Sequence, residues 1–204
     1  MHGKIETIIF DLGGVLIDWN PRYLYRKILK DEEEITWFLQ NVCTSEWNDQ
    51  QDAGRTFDEA IRELIIKHPE WEEAITAWGT RWQETIGGPI VETVNILDTI
   101  KSLRSHRLYA LTNWSAETFP WALDNFNFLH WFEGIVVSGQ EKTRKPFPEF
   151  YKILLDRYKV DPASALFIDD NFKNIEGAKA VGIQTIHFED PQKLKDQLTR
   201  LGVF

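Results

Sequence analysis

Apolar and polar positions alternate between two periods along this chain, and the change of period marks its elements. Residues 7–10, TIIF, form a short β-rich apolar run that stops at Asp11 and a glycine pair. From about residue 20 to 90 almost no strand signal remains. Asn20 followed by Pro21 marks a helix start, with proline at the first helical position, and Arg22 to Lys30 continue it. Thr56 and Glu59 have the T-x-x-E form of a capping box, and FDEAIRELIIKH follows with helical spacing. WEEAITAWGTRWQETI is a further helical stretch, stopped by Gly87, Gly88 and Pro89.

Beyond residue 90 the two periods take turns. VETVNILDTIKSLRSH is helical, RLYALTN a strand, and SAETFPWALDNF helical with Pro120 in its first turn or at a kink. GIVVS is a strand, PEFYKILLDRYKV a helix, ALFIDD a strand, NIEGAKAVG a helix, IQTIHF a strand and PQKLKDQLTRLG the last helix. Strands alternating with helices in this way predict βαβ units and a parallel sheet covered on both faces. The expected class is α/β, with a core over residues 1–18 and 91–204 and a helical insertion over 19–90. Ligands of such sheets sit beyond the carboxyl ends of the strands.

Composition narrows the function. The chain has 204 residues, 43% of them hydrophobic and 27% charged, which fits one folded core with a smaller insertion. A net charge of −9 leaves no global basic surface for nucleic acid or anionic lipid, so an anionic substrate needs local cations or a metal. The single cysteine, Cys43, cannot form an internal disulfide and fits a reducing compartment. The opening MHGKIETIIF has one short apolar run broken by charge, unlike a secretory leader, and no stretch reaches the length of a membrane span. The expectation is a soluble, cytoplasmic protein.

The strand ends carry the chemistry. The first predicted strand ends on Asp11, RLYALTN on Thr112 and Asn113, and ALFIDD on Asp169 and Asp170, while Lys145 follows GIVVS in the polar run SGQEKTRKP. Each alone has an ordinary reading as a turn former, a helix cap or a solvated lysine. Together they place three carboxylates, a hydroxyl, an amide and an amine on one edge of one sheet. Three carboxylates within a few ångströms need a counter-charge, and Mg²⁺ with oxygen ligands is the natural one. Such a site suits phosphoryl transfer, with a carboxylate beside the metal able to attack phosphorus.

These segments resemble, in order and over almost the whole chain, the four motifs of the haloacid dehalogenase-like hydrolases. FDLGGVLID resembles the first motif, ALTN the second, KTRKPFPEFY the third and LFIDDNFKNIEGAKAVGI the fourth. The resemblance implies a Rossmann-like core with a helical cap at residues 19–90. It implies Asp11 as nucleophile, Thr112 and Asn113 on the phosphate, and Lys145 stabilising nucleophile and phosphoryl group. It also implies Mg²⁺ held by Asp11, Asp170 and the Gly13 carbonyl, with Asp169 acting through water or hydrogen bonds. The implied substrate is a small phosphorylated metabolite, a sugar phosphate among the candidates.

One position departs from the pattern. Most phosphatases of this family carry a second aspartate two residues after the nucleophile, as general acid and base, and here that residue is Gly13. Loss of a placed acid/base costs about 10²–10⁴ in rate. Three readings stand: a phosphatase with a good leaving group or a substitute acid, as in a subgroup resembling this chain that includes bacterial sugar-phosphate phosphatases with glycine here; a 2-haloacid dehalogenase attacking carbon without metal; or a binding module. In the insertion, Arg55 follows Gly54 in the loop QDAGR and is a candidate substrate contact or a solvated arginine, and Arg22 is a weaker one. Six of nine tryptophans lie in the first 90 residues, where helical spacing predicts core packing, with one or two facing substrate. Trp114 is nearest the site in sequence. His68 and His106 have no ligand spacing.

Overall fold

The computed structural model describes residues 4–204. Residues 1–3, the start of the stretch read against a secretory leader and of the expected core segment 1–18, lie outside the described residues.

The strands are β1 (Thr7–Phe10), β2 (Ile17–Trp19), β3 (Ile86–Pro89), β4 (Arg107–Thr112), β5 (Gly134–Val137), β6 (Ala165–Asp169) and β7 (Gln184–His187). Five of them form one parallel sheet in the order β5-β4-β1-β6-β7. The chain runs outward from β1 to β4 and β5, then returns to the other side of β1 for β6 and β7. The crevice between β1 and β6 is therefore the switch point where such sheets bind ligands.

Successive residues of the central strands face opposite sides. Ile8 and Phe10 join Leu166 and Ile168 in one core, whereas Ile9 joins Tyr109, Leu111 and Phe167 in the other. Helices α6 (Val91–Leu103), α7 (Phe119–Asn125), α8 (Ser138–Glu141), α9 (Pro148–Tyr158), α10 (Phe172–Ala180) and α11 (Pro191–Arg200) lie among and beside these strands. Pro120 sits in the first turn of α7, where its missing N–H costs nothing.

The insertion holds α1 (Arg22–Tyr25), α2 (Glu32–Asn41), α3 (Ser45–Asp52), α4 (Phe57–Lys67) and α5 (Glu72–Thr80). Asp31, Thr44 and Thr56 cap α2, α3 and α4, and Thr56 with Glu59 makes both bonds of the capping box. Tyr25, Phe38, Trp47, Leu64 and Trp78 continue the first core without a break from the sheet into these helices.

Two expectations are corrected. The helix expected over Arg22 to Lys30 ends at Tyr25, and shorter turns carry the chain on: Lys27 N donates to Leu24 O and Ile28 N to Tyr25 O. Residues 86–89 are also not merely a helix stop. They form β3, antiparallel to β2, so an antiparallel ribbon joins the helical insertion to the sheet. Asn20 N bonds to Thr85 O, and Ile90 N to Leu16 O, at its two ends.

Candidate active site

Asp11 follows β1 directly, and its N–H still pairs with Ile168 O of β6. The chain then tightens into a turn in which Leu12 O accepts from Val15, Leu16 and Ile17. Gly14 sits in the left-handed region at φ +75, and a Cβ there would lie 2.4 Å from Asp170 Oδ2. The second glycine of the pair thus lets the Asp170 carboxylate fold onto the turn after Asp11. Gly13 differs: a Cβ placed there meets nothing within 4 Å.

Lys145 is the pivot of the site. It is fully buried, and its Nζ lies 2.8 Å from Asp11 Oδ1 and 2.7 Å from Asp169 Oδ2. Burial opposes its charge, but the two carboxylates outweigh that and hold its pKa above the ordinary lysine value. Asn113, at the end of β4, fixes the loop carrying it. Its Oδ1 accepts from Lys145 N at 2.9 Å and its Nδ2 donates to Lys145 O at 3.1 Å. The Asn113 side chain thus positions Lys145, instead of capping the helix after it.

The carboxylates differ sharply. Asp169, also fully buried, accepts from Lys145 Nζ, from Asn171 N and from Asn174 Nδ2, so both its oxygens are held. Asp170 is the exposed member, anchored through its backbone carbonyl to His187 Nε2 at 2.9 Å. Asn171, not the aspartates, caps α10. Asp11 Oδ1 takes Leu12 N and Lys145 Nζ, which leaves Oδ2 outside both contacts.

The donor set fits a hard divalent cation. One oxygen from each of Asp11, Asp169 and Asp170 lies within 4.8 Å of the others. Burial first, and the Asp169 and Asp170 charges next, push the Asp11 pKa well above the usual carboxylate range, with Lys145 opposing. Asp170 is raised as well, by burial of its carboxyl and then by Asp169. Three acidic groups facing one lysine are under-neutralised, which is the condition a bound cation relieves.

A cavity of about 490 Å³ opens above this crevice. Asp11, Gly13, Asn113 and Asp170 contribute to its floor, and residues of the helical insertion, among them Leu39, Cys43, Asp49, Asp52 and Phe57, to its walls. At the end of β4, the buried Thr112 Oγ1 has no hydrogen-bond partner among the described residues, an orphaned polar atom that suits a substrate oxygen. Four tryptophans line the cavity: Trp19, Trp78, Trp82 and Trp114. Trp78 and Trp82 are at once core and cavity wall, while Trp19 belongs to β2 and not to a helix.

Of the predicted site residues, Arg55 is not brought to the cavity. Its Nε donates to Gln51 Oε1 at 2.8 Å, Nη1 to Glu63 and Nη2 to Trp47 O, so its guanidinium folds back along α3 and α4. Arg22 is likewise turned to Glu32 and Thr36. Residues that sequence reasoning passed over are Asn171, Asn174 and Arg144. The two asparagines lie at the cap and in the first turn of a helix directly after an acid pair, which is a readable signal. Arg144 pairs with Asp49 at 2.9 Å across to α3, and nothing local announces that.

The model of the haloacid dehalogenase-like hydrolases matches residues 5–182. The chain belongs to this family. Among curated members, a sesquiterpene phosphatase of Aspergillus oryzae is 31% identical over 93% of each chain. The D-ribitol-5-phosphate phosphatase of Bacteroides thetaiotaomicron is 24% identical over 96% of this chain and 97% of its own. A crystal structure of a haloacid dehalogenase-family enzyme from Bacteroides thetaiotaomicron, in complex with magnesium and inorganic phosphate, has the same fold. Its TM-score is 0.70, at 24% identity over 93% of this chain and 98% of that one. The protein is a hydrolase with phosphatase relatives, and its fold is the family's α/β fold. No described helix is long and apolar enough to cross a membrane.

Proposed function

We propose that this hydrolase is a Mg²⁺-dependent phosphomonoesterase that acts through an aspartyl-phosphate on Asp11. The observation that carries the reading is the convergence at one crevice of a free Asp11 oxygen, the buried Lys145 amine and the Asp169 and Asp170 carboxylates. Asp11 Oδ2 attacks phosphorus in line with the leaving oxygen, and the ester P–O bond breaks. Lys145 favours the ionised form of Asp11 against the burial that opposes it and neutralises the phosphoryl group, and Thr112 Oγ1 donates to a phosphoryl oxygen. Asp170, Asp11 and the Gly13 carbonyl would hold the metal, with Asp169 supporting them through hydrogen bonds. When bound, Mg²⁺ neutralises the charge that gathers on the phosphoryl oxygens. Water then attacks phosphorus, releasing phosphate and restoring Asp11.

The helices between residues 19 and 90 act as a cap over the core formed by 1–18 and 91–204, shielding the crevice from water. The aromatic wall selects the part of the substrate beyond the phosphate. Sugar phosphates are one candidate class, because a sugar's apolar face stacks on tryptophan, and the ribitol-phosphate relative supports it. The apolar run of Leu39, Phe57, Trp78 and Trp82 favours a second class, terpenyl monophosphates, as the sesquiterpene phosphatase does. The setting that goes with either is cytoplasmic, which the lone Cys43 fits.

A panel of both classes, assayed for phosphate release with Mg²⁺ and with EDTA, tests the reading. Metal-dependent release that Asp11→Asn abolishes is expected. No release from any member, or halide release from 2-chloropropionate without metal, would overturn it.

A further inference from the structure

Gly13 leaves the proposed reaction without a carboxyl in the place where most family phosphatases hold their acid and base. The cavity wall built by α3 supplies another. Besides Asp11 and Asp170, the carboxylates lining the cavity are Asp49 and Asp52. Asp49 is tied to Arg144 at 2.9 Å. Asp52 has no ion pair among the described residues, and its one side-chain hydrogen bond comes from Asn48 Nδ2 to Oδ2 at 3.2 Å, so Oδ1 is unengaged.

The turn that carries Asp52 is held on the core beside the Lys145 loop. Gly54, at φ +99, brings the chain so close that an added Cβ would sit 3.1 Å from Gly139 O and 3.2 Å from the Lys142 side chain. Arg144 reaches across to Asp49 from the residue next to Lys145, and its Nη1 donates to Lys145 O at 3.0 Å. Arg55 locks the same turn from behind through Gln51 and Trp47. Asp52 is thus fixed on the cavity wall in register with the catalytic lysine's loop.

We infer that Asp52 is the general acid and base of the reaction, a role that rests on the phosphomonoesterase reading and takes the place of the carboxyl missing at Gly13. In the first half, protonated Asp52 gives its proton to the leaving oxygen as the ester P–O bond breaks and the Asp11–phosphorus bond forms. In the second, ionised Asp52 takes a proton from water as that water attacks phosphorus and the Asp11–phosphorus bond breaks. One proton leaves Asp52 and one returns, so the cycle closes. The charged groups acting on it are Asp49, Arg144 and Lys145. Burial and the Asp49 charge raise its pKa to about 7 against the two cations, so both forms are populated near neutrality.

The test compares wild type with Asp52→Asn on two esters, p-nitrophenyl phosphate, whose leaving group needs no proton, and benzyl phosphate, whose leaving group does. Asp52→Asn is expected to lower kcat/KM for benzyl phosphate by about 10²–10⁴ and for p-nitrophenyl phosphate by less than about tenfold. The wild-type fall in benzyl phosphate kcat/KM as pH rises past about 7 should vanish in the variant. Equal losses on both esters, or none, with the wild type active, would overturn the role of Asp52 and leave the phosphomonoesterase reading standing. A wild type inert on both esters with Mg²⁺ would overturn both.

Discussion

Gly13 and Gly14 are neighbours with opposite demands. Gly14 needs a left-handed backbone and has Asp170 lying on it, so a side chain is excluded on two counts. Gly13 faces the cavity with open space where a side chain would go. Gly13→Asp is therefore expected to fold with an unchanged melting temperature. In the Asp52→Asn background it should recover at least about tenfold of the lost benzyl phosphate turnover, a tenth of the roughly hundredfold that a placed acid contributes at the low end. Steady-state kinetics of the single and double variants measure this. The neighbouring Asn174 illustrates support at one remove, since its amide spans both oxygens of Asp169. Asn174→Ala should weaken Mg²⁺ activation by about 10–100-fold, read from the metal dependence of the rate.

Among the strands of the sheet, the legible ones were those written as apolar runs. TIIF, RLYALT, GIVV and ALFID are apolar runs that end on polar residues, because a parallel sheet needs apolar side chains on both sides and places its chemistry at its edge. The β2–β3 ribbon was not legible, because IDW and IGGP are too short and too glycine-rich to show a period of two. The residues of the core crevice could be named for the same reason, each lying at a strand end or just past one. Asp52 could not, because its place depends on how α3 crosses the sheet edge, a long-range matter with no local pattern. Arg55 was misplaced for a related reason: Gln51, Glu63 and Trp47 on its own helices satisfy it first. Gly54 is the hinge of that arrangement. Gly54→Ala is expected to cost about 1–2 kcal/mol in urea denaturation and to move Asp52 off the cavity wall.

At the scale of the whole molecule, the core running unbroken from sheet to helical insertion makes one cooperative unit, and the site's acids weigh on its stability. Asp52 has a native pKa of about 7 against 3.8 for an ordinary aspartate. Below about pH 4 it is protonated whether folded or not; between about 4 and 7 the native state holds the proton more tightly, so stability falls as pH rises. Above about 7 the full penalty is present. Asp52→Asn should accordingly raise the melting temperature at pH 8 and by much less at pH 4.5, a gain in stability bought with activity. The claim on which all of this stands is that Asp11 carries the phosphoryl group. Acid quenching during turnover, borohydride reduction and peptide mass spectrometry test it directly, since reduction converts an aspartyl-phosphate to homoserine. The predicted result is homoserine at position 11 with substrate and none without it, and an enzyme that turns over while Asp11 stays unmodified would contradict it.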